Sequence, residues 1–443
     1  MNIEYLKNSI KHNETVKKKK NKYERVNEDI LNTVEKFIID NKLVCYGGTA
    51  INNILPKKEQ FYNYKIDIPD YDFFSYDAIK HTKELCNILS YNKNVFHIEG
   101  KNSFFEGTYK IFVNYIAVAD ITLVSEQFYN YLLKNNIKKK FITYTPITFL
   151  RMSLHQELAR PIGDISRWEK IYSRLNILNK YYPIITKNKV ISFPNKIKDS
   201  NYTDVYNKLM DHFISKKYVF CNFFIILNTF KKYLNNYNEL IKKIKKTDDF
   251  FIIYTDDLTN SIHDINRLKL KGIKIDHIKT QYKFVDNYVK IIYNNNLIGY
   301  LFQTDSCLSY NKIKYNKKNM LIGNIDTVIH LYFIFLLIEE FPINKNGILY
   351  IISLLYSVII NYYDIITEYN NYKKIPNKLK RFNLPCYGIQ DDKEEILKNR
   401  NKKYHKYKHD KQSEEYIKHF FKYSPTIKTN KNANKFNKTR KSL

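Results

Sequence analysis

Over residues 24–40, Val26, Ile30, Val34 and Ile38 recur every four positions among charged neighbours. This spacing predicts a helix with one buried face. The run 43–46 then reads as a short strand closed by Gly47-Gly48. A second helical pattern covers 76–90. Two alternating runs, 107–113 and 116–124, flank Asn114-Tyr115 and predict a hairpin. From 146 to 178 the period is helical again, with a break at Pro161 and Gly163.

A similar order recurs downstream. A helical stretch at 233–246 leads into FFIIYTDDLTNSI (250–262), which can be laid over VCYGGTAINNI (44–54) with Tyr254 on Tyr46. NYVKIIYNNNLIGYL (287–301) matches GTYKIFVNYIAVADI (107–121) and puts Tyr300 where Asp120 stands. The helical stretch 325–341, ended by Pro342, echoes 147–160, ended by Pro161. The common order predicts an internal duplication whose second copy lacks the glycine pair and the carboxylates. The division expected is a basic N-terminal segment (1–22), a first α/β domain (23–195), a second, degenerate one (196–372) and a basic C-terminal extension (373–443). The end of that extension, NKNANKFNKTRKSL, is too poor in apolar residues to fold alone. The uncharged run GILYIISLLYSVIINYY (347–363) is short for a bilayer span and is expected to form a buried helix, with no membrane contact.

Composition sharpens this picture. Among 443 residues, 74 Lys and Arg stand against 44 Asp and Glu, a net charge of +30. Such an excess favours a polyanionic partner, nucleic acid first. AT-rich coding also over-uses Lys, Asn, Ile and Tyr, but it enriches Asp and Glu codons too, so it does not explain the sign. The five cysteines are scattered, without CxxC or Cys/His spacing of the zinc type, and suggest a reducing compartment. The N-terminus has no apolar core of a secretory signal.

The chemistry concentrates in CYGGTAINNILPKKEQFYNYKIDIPDYDFFSYD (45–77). Alternation along a strand puts Asp70 and Asp72 on one face and Tyr71 on the other. Two carboxylates at ~4 Å repel by about 4 kcal/mol at an effective dielectric of about 20, so the pair calls for a proton or a cation. Oxygen-only ligands select a hard ion, Mg²⁺ or Mn²⁺. Asp120, in IAVADITLV, is a charge within an otherwise apolar strand, where an ion-pair or metal role offsets the cost of burial. Gly47-Gly48-Thr49 lies where a strand gives way to a helix, so backbone N–H groups and the helix N-terminus can approach an anion. These residues suggest a triphosphate bridged by metal to Asp70, Asp72 and Asp120. No Walker lysine, GxGxxG or HExxH is present.

In this order the motifs resemble the polymerase-β-type nucleotidyltransferase superfamily. YGGTAIN, DYDFFS and ELARPIGDISRWEKIYSRLNILNKYYP (157–183) are similar, more closely, to the poly(A) polymerase catalytic subunits of large cytoplasmic DNA viruses of the mimivirus and asfarvirus kind, and more distantly to the poxvirus enzyme. The resemblance covers 23–183. It implies an α/β (α+β) nucleotidyltransferase fold, a mixed sheet with flanking helices, followed by a degenerate nucleotidyltransferase-like domain. It also implies template-independent transfer of AMP from ATP to the 3′ end of mRNA. By the same carry-over Asp70 and Asp72 bind two divalent ions, Asp120 binds the one that activates the 3′-hydroxyl, and Gly47, Gly48 and Thr49 contact the triphosphate. A homodimer is expected, with a viral processivity or capping factor as a further partner, and a location in the host cytoplasm or packaged in the virion.

Arg160, Arg167, Lys170 and Arg174 allow two readings. They form either a basic helical face for phosphates or RNA, or a structural helix paired with Glu157, Asp164 and Glu169. Trp168 reads as core. No RRM, KH or zinc signature occurs, so RNA contact would rest on backbone charge and stacking by Tyr and Phe, without sequence preference. Two other functions remain open on sequence: a nucleotidyltransferase with another nucleotide or acceptor, and a non-catalytic RNA-binding subunit.

Overall fold

Val26, Ile30, Val34 and Ile38 are fully buried. The last three lie on helix Glu28–Asp40, which opens where the Asn27 side chain accepts a hydrogen bond from Ile30 N and so satisfies an otherwise orphaned donor. This computed structural model describes residues 3–185, 196–234, 237–238, 250–278, 287–304, 306–338 and 341–427. Two compact units emerge, 1–150 joined by 393–443, and 151–392. The first unit therefore ends at 150 where the sequence suggested 195, and the segment expected as one extension from 373 is shared between the two units.

The first unit is built on an eight-stranded mixed sheet. Its strands are β1 (Val44–Tyr46), β2 (Tyr71–Ser75), β3 (Ile98–Asn102), β4 (Thr108–Val113), β5 (Ile116–Leu123), β6 (Ile137–Lys139), β7 (Ile142–Tyr144) and β16 (Lys422–Tyr423), in the order β16-β3-β4-β5-β2-β1-β7-β6. β2 runs antiparallel to β1 and parallel to β5. The β4–β5 turn falls at Asn114-Tyr115, both at positive φ (50° and 68°), as a two-residue hairpin turn matched to strand twist requires. Asn114 suits the position doubly, because its buried side chain accepts from Phe96 N and His97 N and donates to Arg25 O and Asn94 O.

The basic run near the N-terminus is part of a helix, Ile3–Lys20, with no buried residue, which explains why hydrophobic periodicity did not reveal it. The C-terminal part also folds. Helices Lys393–Tyr407 and Glu414–Phe420 lead into β16 at the β3 edge, Phe421 is buried against Tyr109, and Lys418 pairs with Glu106 at 2.8 Å. The closing residues 428–443 and most of the helical stretch expected at 233–246 lie outside the described residues.

The second unit repeats the plan. Its strands are β8 (Val219–Phe220), β9 (Phe251–Thr255), β10 (Ile273–Ile278), β11 (Tyr288–Tyr293), β12 (Asn296–Gln303), β13 (Leu308–Tyr315), β14 (Lys318–Gly323) and β15 (Cys386–Tyr387), ordered β10-β11-β12-β9-β8-β14-β13-β15. The β11–β12 hairpin reproduces β4–β5 down to its turn, Asn294-Asn295 at positive φ, and its register shift, between Ile291 and Ile292 as between Ile111 and Phe112. One part of the expected superposition moves. In sheet order β9 takes the place of β2, not β1, and β8 takes that of β1. Asp257 caps the following helix as Asp77 does, and Thr255 bonds Ser261 as Ser75 bonds His81.

Cys307 and Cys386 form a disulfide, contrary to the expectation of reduced cysteines, whereas Cys45, Cys86 and Cys221 are free and buried. The β13–β15 pairing, with Ser309 opposite Cys386, brings the two bridged residues together. The apolar run at 347–363 divides between helices Lys345–Ile360 and Tyr362–Tyr369, the first largely buried. No helix among the described residues is long and apolar enough to cross a membrane.

Candidate active site

The parallel pairing of β2 with β5 sets Asp72 opposite Asp120. Asp70 stands one residue before β2 and is exposed, Asp72 is half-buried, and Tyr71 between them is buried on the other face, as alternation requires. At the end of β1, Gly47 begins helix Gly47–Ile54 with φ +73°. A Cβ on Gly47 would lie 2.3 Å from Asp72 Oδ2, so the glycine cradle and the acidic strand are in direct contact. Lys110 on β4 faces Asp120 across the hairpin, with its Nζ 2.9 Å from Asp120 Oδ2.

The charges of all three aspartates reach both Lys110 and Tyr46, so the acids gather on one patch of the sheet. Burial and the neighbouring Asp70 charge push the Asp120 carboxyl up to about 6, with Lys110 opposing. For Lys110, burial acts to lower its proton affinity, but the bond to Asp120 and the three carboxylate charges outweigh it and the net direction is up. Excess negative charge of this kind is what a divalent cation relieves. The donors are carboxylate oxygens, which suit a hard ion, and Asp120 Oδ1 is buried with no hydrogen-bond partner. The residues thus fit Mg²⁺ or Mn²⁺ in chemistry. In this arrangement the Lys110 ammonium is the cation beside Asp120, and among the described residues no three acidic, His or Cys side chains are drawn into a ready metal cluster.

Thr49 has a different place from the one expected. Its hydroxyl donates to Asp70 O at 2.7 Å, tying the cradle to the acidic strand instead of standing open to a phosphate. Asn52, fully buried, accepts from Phe61 N and Tyr62 N and donates to Tyr64 OH, so it folds the loop between cradle and acids. Lys18 pairs with Asp67 at 2.9 Å on the same loop. Lys110, Tyr46 and Asn52 escaped the sequence reading. A lysine within the alternation of 107–113 was the one visible signal, and only the hairpin register gives it meaning.

Arg160, Arg167, Lys170 and Arg174 belong to the second unit. Arg160 Nε donates to Gln390 Oε1 at 3.1 Å, Arg167 pairs with Glu157 at 3.6 Å, Arg174 is buried and Lys170 is exposed. Of the acidic partners that the structural reading named, Glu157 pairs with Arg167, whereas Arg160 bonds Gln390 instead. Trp168 donates to Glu157 O and packs on Phe382. In the second sheet Tyr300 stands at the position of Asp120, with Ile252 opposite it where Asp72 would be. Rings of Tyr288, Phe302 and Phe341 surround Tyr300, so an aromatic core has replaced the acids.

The mixed sheet carries a glycine turn against paired strand carboxylates, the architecture implied by the resemblance of its motifs to nucleotidyltransferases. Residues 32–164 match the family described as poly(A) polymerase catalytic subunit. A protein of Acanthamoeba polyphaga mimivirus assigned as a poly(A) polymerase catalytic subunit is 26% identical over 303 residues, 62% of this chain and 51% of its own. Its counterpart in African swine fever virus (strain Badajoz 1971 Vero-adapted) is 29% identical over 182 residues, 38% of each. The chain thus spans about half or less of the length of these relatives. The crystal structure of the Megavirus polyadenylate synthase shares the fold, with a TM-score of 0.74 at 21% identity, over 100% of this chain and 90% of that one.

Proposed function

We propose that this chain is a polynucleotide adenylyltransferase that extends RNA 3′ ends with AMP from ATP. The observation that carries the reading is Asp72 set opposite Asp120 on adjacent parallel strands, with Gly47 against Asp72. The RNA 3′-hydroxyl gives up its proton to solvent as its oxygen attacks the α-phosphorus, the bond from that phosphorus to the oxygen bridging to the β-phosphate breaks, and pyrophosphate leaves. Asp70, Asp72 and Asp120 would hold two Mg²⁺ or Mn²⁺ ions, which supply charge neutralisation and an activated hydroxyl when bound. Gly47 and Gly48 present backbone N–H groups at a helix start to the triphosphate, and Thr49 fixes the distance between cradle and acids through Asp70 O. Lys110 keeps Asp120 aimed at the site. Rate would come mainly from positioning. With Ile252 and Tyr300 in the equivalent places, the described residues of the second sheet do not repeat this centre.

The test is incubation of the purified chain with labelled RNA primer, Mn²⁺ or Mg²⁺ and each nucleotide separately. An ATP-dependent ladder that disappears in Asp72→Ala and Asp120→Ala is expected. Equal extension with all four nucleotides would keep the nucleotidyltransferase and remove the poly(A) assignment. No transfer to RNA under any of these conditions would refute the reading.

A further inference from the structure

The second unit has lost its acids but contains a cleft of about 940 Å³, near the upper end of the roughly 300–1,000 Å³ typical of ligand sites. Lys196, Lys231, Lys312, Lys314 and Lys378 line it, and among the described residues no Asp or Glu does. Tyr202, Tyr206, Phe224, Tyr237 and Tyr315 stand between the lysines. The cleft is not the relic of a catalytic centre, since neither Ile252 nor Tyr300 borders it. We propose that this cleft is a second, non-catalytic binding site for single-stranded RNA; the choice of RNA rests on the function proposed above.

The cleft is built by several elements held together. Buried Asn311 on β13 donates to Lys380 O at 2.9 Å and to Lys378 O at 3.5 Å, which pins the 376–380 turn beside the strand and fixes Lys378 at the rim. Tyr237 donates to Asn228 Oδ1 at 3.2 Å. Lys312 and Lys314 are exposed and share one strand face, roughly 6–7 Å apart, a repeat suited to successive phosphates of an extended chain. Five ammonium groups around one cleft, with no carboxylate among its described lining residues, repel one another, and a polyanion relieves that repulsion. Ring faces add stacking that every unpaired base can use, whereas a duplex hides its bases and an acidic peptide has none. The lysines come from separate segments and not from one nest, which fits charge spread along a backbone better than a compact triphosphate.

The experiment measures binding of a fluorescein-labelled single-stranded oligoadenylate to the full chain by anisotropy, in chelator, across a salt series. The expected result for Lys312→Glu/Lys314→Glu is an affinity loss of at least about tenfold and a log–log salt slope shallower by roughly 1.4, from about 0.7 per phosphate contact on single strands. Lys312→Ala/Lys314→Ala gives the same slope change without charge reversal. Tyr237→Ala weakens binding by about tenfold with the slope retained. Unchanged affinity and slope in both lysine variants overturns the proposal. So does a loss shared equally by a polyglutamate probe while Tyr237→Ala changes nothing. If wild type extends RNA while the lysine variants bind it normally, the cleft assignment fails alone. If wild type transfers no AMP yet the variants lose RNA, the cleft stands and the adenylyltransferase reading fails.

Discussion

Gly47→Ala tests the link between cradle and acids with one methyl group. The added Cβ would lie 2.3 Å from Asp72 Oδ2, whereas non-bonded heavy atoms settle at about 3.5 Å, so the carboxylate must retreat by about 1 Å. A misplacement of that size at a reacting centre costs on the order of 10²-fold in rate, equivalent to ~2.7 kcal/mol of barrier. The left-handed backbone, φ +73°, adds roughly 1–2 kcal/mol of folding strain. Gly107→Ala separates the two effects. It has the same kind of backbone, φ +79°, but its nearest neighbour is Leu123 Cβ at 3.9 Å, so it carries the strain without the collision. Single-turnover AMP transfer to labelled primer, with urea unfolding of both variants, should show similar losses of stability and a rate loss confined to Gly47→Ala. Rates for the two variants within a factor of about three of each other would refute the contact on which the active-site reading depends.

In the second unit Arg381 and Asp326 are both fully buried and joined at 2.6 and 2.8 Å. Asp326→Ala strands both the guanidinium and the buried His155 imidazole that shares the carboxylate at 2.8 Å, and should cost about 3–5 kcal/mol in urea unfolding. Burial holds the imidazole of His330 down to about 4, below its unfolded value near 6.5. The folded state therefore keeps it neutral, and its contribution is complete above pH ~6.5 and lost as pH falls toward 4, by up to ~3 kcal/mol. Chemical unfolding between pH 4 and 7 should show that slope, and His330→Gln should flatten it. Lys110→Met removes the cation beside Asp120, so it should lower the melting temperature more in chelator than in Mn²⁺. Equal losses in both conditions would deny that an ammonium and a metal serve the same carboxylate.

The elements read correctly from sequence were those with a local signal. The hairpin at 107–124 showed period-two alternation around an Asn turn, and the glycine pair and DxD mark the turn and strand that the structure sets against each other. Features set by pairing between distant segments were not legible. Lys110 looks like any strand lysine until the β4–β5 register puts it on Asp120, β16 reaches β3 across most of the chain, and Cys307 meets Cys386 only because β15 pairs with β13. The misplaced part of the duplication has the same origin, since β1 and β2 are each a short strand followed by a helix, and without glycines or acids the second copy could be laid on either. Comparing the two sheets then separates what folding needs from what chemistry needs. The left-handed turn at Asn114 and Asn294, the register shift after Ile111 and Ile291, and the caps Asp77 and Asp257 occur in both copies. Asp72 and Asp120 occur in one, where Ile252 and Tyr300 stand in the other. The second sheet forms with a fully buried tyrosine where the first carries Asp120, so the fold itself does not require the acid at that position, as expected if the aspartates serve the binding role proposed above.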